Sequence, residues 1–246
     1  MLNIKIMTTK KEQSIQDITH SFQEMADLVL VQLSQIEKLM ATEVKSEQTE
    51  LIAAIKKREQ EIDRFEIVIS DKFINAIVLY QPVASDIRKV VAVYRMALNL
   101  ERIGDQVMNM AYIMETISNT VEYRRMSEVI LNMLNSGRIM VEKSLLSFIN
   151  CDSDYAIWTI KNDAVIDEMN NKLLINSISK ANIDKKTREM LMSYMDLKNL
   201  ITNIERIADH ATNIAEATIY LLQGTDVRHS GLEKQDKNNT LASENQ

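Results

Sequence analysis

The chain of 246 residues is 46% hydrophobic and 26% charged, with only 4 glycines, 1 proline and 1 cysteine. So few turn formers cannot punctuate a β-sandwich or barrel, and a single cysteine, Cys151, excludes an internal disulfide and fits a reducing compartment. With 29 basic and 35 acidic residues the net charge is −6, which argues against a nucleic-acid binder.

A first helix is expected from Thr8 and Thr9, which offer N-caps, with Ile15, Ile18, Phe22, Met25, Val29, Leu33, Ile36 and Met40 recurring every three or four residues. Met1 to Met7, interrupted by Asn3 and Lys5, does not read as a signal peptide. No window approaches ~18 consecutive apolar residues, so the expectation is a cytoplasmic, soluble chain with no membrane span. After a polar stretch from Glu43 to Glu50 the stripe resumes at Leu51, Ile55, Ile62, Phe65, Ile69, Phe73 and Ile77. It must stop near Tyr80 and Gln81, because Pro82 cannot continue a helix but opens the next. A third helix is expected from Val83 to Ile117. Helices of ~30 residues, or ~45 Å each, joined by short turns read as an antiparallel bundle.

The same order of events then recurs. One helix is expected over Val121 to Phe148, a second from Asp152 (a good N-cap) to Lys180, and a last one from beyond the polar break at Ala181 to Lys186 as far as Leu222. Gly224 closes it as a C-cap. From Thr225 to Gln246 the chain is polar and aperiodic, which reads as a disordered tail. Shifting the chain by 104 residues places Asn99, Glu101, Arg102, Ile103, Asp105, Asn109 and Ala111 on Asn203, Glu205, Arg206, Ile207, Asp209, Asn213 and Ala215. That is 7 identities in a window of 13, where ordinary residue usage gives about one. The same shift carries Glu59 onto Asp163 and Asp63 onto Asp167. An internal duplication of a three-helix unit explains it. The expected architecture is all-α: two tandem antiparallel three-helix bundles. Its boundaries are a 1–13 extension, repeats at 14–119 and 120–224, and a 225–246 tail.

Each half carries two acidic i,i+4 pairs, Glu59/Asp63 with Glu101/Asp105 and Asp163/Asp167 with Glu205/Asp209. That spacing puts both members on one helical face. Asp63 lies 19 residues before Pro82 and Glu101 lies 19 after it, while Asp167 and Glu205 are each 19 from Lys186. Helices folding back at those turns would set Glu59 opposite Asp105 and Asp63 opposite Glu101. A lone acidic pair on a charged helix is most often solvated surface, and Arg102 and Arg206 offer internal counter-charges. Recurrence at a fixed offset favours balance by a cation. All-oxygen donors suit Mg²⁺, Ca²⁺, Mn²⁺ or iron, with Asn109 and Asn213 one turn on as possible additional ligands.

No catalytic machinery is legible. There is no Glu-x-x-His motif, Gly-rich phosphate loop, CxxC pair or Ser-His-Asp set. His210, at i+1 from Asp209, and His20 are expected on solvated faces, and His229 in the tail. Cys151 is expected to be a packed small side chain. The 15 methionines follow helical spacing and read as core.

Gln81-Pro82-Val83-Ala84-Ser85-Asp86-Ile87-Arg88 and Leu100-Glu101-Arg102-Ile103-Gly104-Asp105-Gln106-Val107-Met108-Asn109-Met110-Ala111 resemble the first half of the PhoU family. Ile204-Glu205-Arg206-Ile207-Ala208-Asp209-His210-Ala211-Thr212-Asn213-Ile214-Ala215-Glu216 resembles its second half. The resemblance spans roughly residues 14 to 224. It implies two three-helix bundles related by a pseudo-twofold, and a cytoplasmic regulator linking the Pst phosphate ABC transporter to a PhoR-type sensor kinase. Such a regulator represses the starvation response when phosphate is plentiful. It also implies multinuclear metal sites of iron, manganese, magnesium or another divalent cation on Glu59, Asp63, Glu101, Asp105, Asp163, Asp167, Glu205 and Asp209, with no organic cofactor. Two features depart from the family pattern: Ala208 stands where the first half has Gly104, and Met190 and Met192 where it has Asp86 and Arg88. Asp86 and Arg88 are therefore partner-contact candidates of the first half alone, beside their plainer reading as a helix-start acid and its counter-charge.

The expectation is a non-enzymatic adaptor with a transporter ATPase and a sensor kinase as partners, reaching the membrane only through them, and forming a homodimer. The alternative is a metal-binding accessory of a Pit-type or sodium-coupled phosphate transporter without a kinase partner. A metal-dependent enzyme or metal store is disfavoured by the missing ligand histidines.

Overall fold

The computed structural model describes residues 2–118, 120–178 and 187–228. Among them six helices follow one another: α1 Leu2–Ala41, α2 Lys45–Tyr80, α3 Ser85–Ile117, α4 Val121–Ile149, α5 Ser153–Ile178 and α6 Thr187–Gln223. Helices α1, α2 and α3 pack on one another, as do α4, α5 and α6, giving two tandem antiparallel three-helix bundles. No described helix is long and apolar enough to cross a membrane.

The stripes read from the sequence are the core. Ile18, Phe22, Met25, Val29, Leu33 and Ile36 of α1 meet Ile55, Ile62 and Ile69 of α2 and Met96, Leu100, Ile103 and Val107 of α3. That cluster continues without interruption into Ile130, Met133, Leu134 and Val141 of α4 and Leu200, Ile204, Ile207 and Ala211 of α6. The two halves therefore share one core, joined mainly where α3 lies against α6 and to a lesser extent where α1 meets α4. Tyr123, buried at the start of α4, ties this junction by donating its hydroxyl to the Met40 carbonyl at 2.7 Å. That carbonyl lies in the last turn of α1, where no intrahelical donor remains.

Helix ends follow local chemistry, with four departures from the sequence reading. Helix α1 begins at Leu2, so Thr8 and Thr9 lie within it rather than at its cap. Pro82 does not open α3. It is buried in the connection between Gln81 (φ 42°) and Ala84 (φ 50°), two residues of positive φ, of which Gln81 is left-handed helical, and α3 starts at Ser85. Cys151 is exposed rather than packed. It holds φ 53° just beyond α4, where its N–H reaches the Phe148 carbonyl and that of Asp152 the Ser147 carbonyl. This Schellman arrangement points the side chain outward. His210 is the fourth departure and belongs to the seam described below. Of the methionines expected in the core, Met192 and Met195 of α6 are instead exposed. At two helix ends expectation and structure agree: Asp152 caps α5 through Asp154 N–H at 2.8 Å, and Gly224, at φ 72°, closes α6 onto the Tyr220 carbonyl. The polar break before α6, including Lys186, and the chain beyond 228, including His229, lie outside the described residues.

Candidate metal centre between α2 and α3

Glu59 and Asp63 on α2 face Glu101 and Asp105 on α3, as the fold-back at Pro82 requires. The charges of Asp63, Asp105 and Glu101 all reach Glu59, and that of Asp105 reaches Asp63 and Glu101 as well. Glu59 is the buried member, only 9% exposed. Burial pushes its carboxyl up to about 7, against the pull of a hydrogen bond from Gln32, and the charges of Asp63, Asp105 and Glu101 push the same way. Asp63 is raised by burial and then by Asp105. Glu101 is raised by burial and by Asp105, Glu66 and Asp63, with Arg102 opposing. Acids held at such a level invite a counter-charge: a proton at low pH, a cation at neutral pH.

The second half places its four acids on the corresponding helices, Asp163 and Asp167 on α5 and Glu205 and Asp209 on α6. Asp163 and Glu205 are half-buried, and Asp167 and Asp209 are exposed. Asn109 and Asn213 are both exposed one turn beyond their acids. Among the described residues no three His, Cys, Asp or Glu side chains already converge closely enough to hold a metal ion. The first-half donor set nevertheless fits a hard cation on two structural grounds. It is all oxygen, and Glu59 Oε1 is buried with no hydrogen-bond partner among the described residues.

One contributor was not foreseen. Gln32 of α1 is fully buried, and its Nε2 donates to Glu59 Oε2 at 2.6 Å. A signal was present, since Gln32 stands at a stripe position between Val29 and Ile36, where an apolar residue is the rule.

The remaining singled-out residues lie elsewhere. Asp86 pairs with Lys11 of α1 at 2.6 Å. The half-buried Arg88 packs its guanidinium beside Gly224 at the end of α6. His20 is exposed next to Glu24. His210, expected on a solvated face, is instead half-buried in the α3–α6 seam with Nδ1 3.1 Å from Asn99 Oδ1. Burial, and then the charges of Arg102 and Arg206, press its pKa down to about 4. On the outer side of the first bundle, Ile67, Ile74, Val78 and Leu79 of α2 and Val83 of the turn leave large apolar side chains exposed.

Comparison with known proteins gives one consistent picture. The PhoU domain family model matches residues 22–114 and 124–218. A phosphate-specific transport system accessory protein PhoU homolog from a Burkholderia species is 32% identical over 177 residues, covering 71% of this chain and 74% of that protein. Another, from Pseudomonas putida, is 28% identical over 231 residues, covering 91% of this chain and 89% of that protein. The crystal structure of PhoU from Pseudomonas aeruginosa matches with a TM-score of 0.72 at 23% identity, over 87% of this chain and 99% of that one. The phosphate transport system regulatory protein PhoU from Streptococcus pneumoniae matches with a TM-score of 0.69 at 23% identity, over 88% and 99%.

Proposed function

The chain belongs to the PhoU family, and from that premise we propose that it is a cytoplasmic, non-enzymatic regulator of phosphate uptake. In this reading it links the Pst phosphate ABC transporter to a PhoR-type sensor kinase and holds the starvation response off when phosphate is plentiful. The observation that carries the proposal is the pair of complete PhoU repeats, together with relatives named as accessory proteins of phosphate-specific transport over most of their length.

Two features of the chain support action through contacts and cations. The exposed apolar side chains Ile67, Ile74, Val78, Leu79 and Val83 form a surface suited to protein contacts, whether with a transporter subunit, the kinase or a second copy in a homodimer. The facing acids Glu59, Asp63, Glu101 and Asp105, and their counterparts Asp163, Asp167, Glu205 and Asp209, would hold hard divalent cations. A bound cation would cancel the mutual repulsion of these carboxylates and tie α2 to α3 and α5 to α6.

The test is alkaline phosphatase output in a PhoU-deleted bacterium grown in ample phosphate, with and without this gene. Restored repression is the expected result. Continued high output from soluble, expressed protein overturns the kinase link and moves weight to a transporter accessory that acts without a kinase.

A further inference from the structure

The acidic motifs recur in both halves, but the packing behind the first of them does not. Gln32 reaches across from α1, is 0% exposed, and donates Nε2 to Glu59 Oε2. Its other terminus, Oε1, has no hydrogen-bond partner among the described residues, and neither has Glu59 Oε1. Both oxygens lie close against the α3 backbone, an approach that is possible because position 104 is glycine. A Cβ there would lie 2.8 Å from Glu59 Oε2, 3.3 Å from Gln32 Oε1 and 3.4 Å from Glu59 Oε1. Three oxygens from two helices thus crowd together against a third helix, and two of them are buried acceptors without a donor among the described residues. A buried acceptor left unmet destabilises the fold, so a ligand that accepts electron pairs is what the seat lacks.

In the second half all three components differ. Ala208 supplies the Cβ that Gly104 omits, and Asp163 is one methylene shorter than Glu59. Among the described residues, α4 buries no amide or carboxylate side chain that could play the part of Gln32. The glutamate, the glycine and the glutamine form one device, present once.

We propose that Gln32 is a ligand of the first-half cation site through Oε1, making that site the work of three helices and its counterpart the work of two. The inference rests on the metal-binding reading above and goes beyond it by naming a residue outside the repeated motifs. It also ranks the halves: the first binds a hard divalent cation more tightly.

The test uses full-length protein carrying Asp209→Ala, which disables the second half, titrated calorimetrically with Mn²⁺ alone. Gln32→Met keeps side-chain length but removes the oxygen, and Gln32→Glu keeps an oxygen. The expected result is a loss of about tenfold or more in Mn²⁺ affinity for the methionine variant, with the glutamate variant close to its parent. A purely structural role for Gln32 would not separate the two. Should Gln32→Met fail to fold, Gly104→Ala closes the same seat from α3 and carries the same expectation. An affinity loss below that margin overturns the proposal and leaves the seat to water. Absence of Mn²⁺ binding by the unsubstituted protein overturns the metal reading itself, and this proposal with it.

Discussion

His210 Nδ1 donates its hydrogen to Asn99 Oδ1, 3.1 Å away across the seam between α3 and α6. The tautomer follows from the asparagine, whose Nδ2 is already committed to the Arg95 carbonyl at 2.8 Å, so its oxygen must accept. The ring is neutral for the same reason that its pKa is near 4: it is buried, and Arg102 and Arg206 face it.

From this follows a dependence of stability on pH. The folded pKa lies below the unfolded 6.5, so the unfolded chain binds the extra proton and stability falls as pH drops from 6.5 towards 4. His210→Gln installs the residue type found at the equivalent Gln106, keeps a donor for Asn99, and removes the titration. Urea unfolding between those limits should show a shallower slope for the variant; an unchanged slope would place the titration elsewhere.

Glu59 works in the opposite direction. Its folded pKa of about 7 lies above the unfolded 4.5, so the native state binds the extra proton and stability falls as pH rises through that window. Glu59→Gln should raise the melting temperature of chelator-treated protein at pH 8 by a few degrees. At pH 4 it should change little, because the carboxyl is protonated in either state. Calorimetric melting at the two pH values checks both.

Gly104→Ala sets two effects against each other. A helical glycine exchanged for alanine gains about 1 kcal/mol of helix propensity, whereas crowding a filled site costs about 1–3 kcal/mol. With the new Cβ 2.8 Å from Glu59 Oε2 and that carboxyl held by Gln32, the net effect should be mild destabilisation. Adding Glu59→Asp reproduces the Ala208 and Asp163 pairing of the second half, removes the crowding and keeps the propensity gain. The double variant should be more stable than Gly104→Ala by roughly 1 kcal/mol in urea unfolding.

Asp105→Ala with Asp209→Ala should lower the bound metal measured by elemental analysis while the circular dichroism stays helical. Unchanged metal stoichiometry would sink the assignment of these residues as ligands.

Tyr123→Phe removes the hydroxyl that serves the Met40 carbonyl at 2.7 Å. The expected cost is about 1 kcal/mol of stability, read as a shift in the urea midpoint. Mn²⁺ affinity should not move, because this contact lies about two turns of α1 beyond Gln32 and involves none of the first-half acids.

Periodicity and turn spacing suffice to read six helices and their antiparallel return at Pro82, because these depend on local geometry and one counted distance. Contacts that depend on which faces pack were harder to read. The i+1 spacing from Asp209 takes His210 off the acidic face and so towards water, but α6 packs against α3, α4 and α5 and so has more than one buried face. Cys151 was assigned to the interior from its type, although the left-handed position that ends α4 directs it outward. Gln32 carried a visible signal, a polar residue on an apolar stripe, but its meaning required seeing Gly104 opposite.

The seam of α3 on α6 also has an evolutionary consequence. If the halves descend from one short ancestor, that ancestor bound a second copy of itself along the face that α3 and α6 now share. A homodimer built from one gene must keep its two sides identical, and every substitution appears twice. Splicing the two copies into a single chain released that constraint. Glutamine at 106 could then differ from histidine at 210, and glycine at 104 from alanine at 208. Two unequal clusters of acids within one chain are open to a duplicated protein and closed to its symmetric parent.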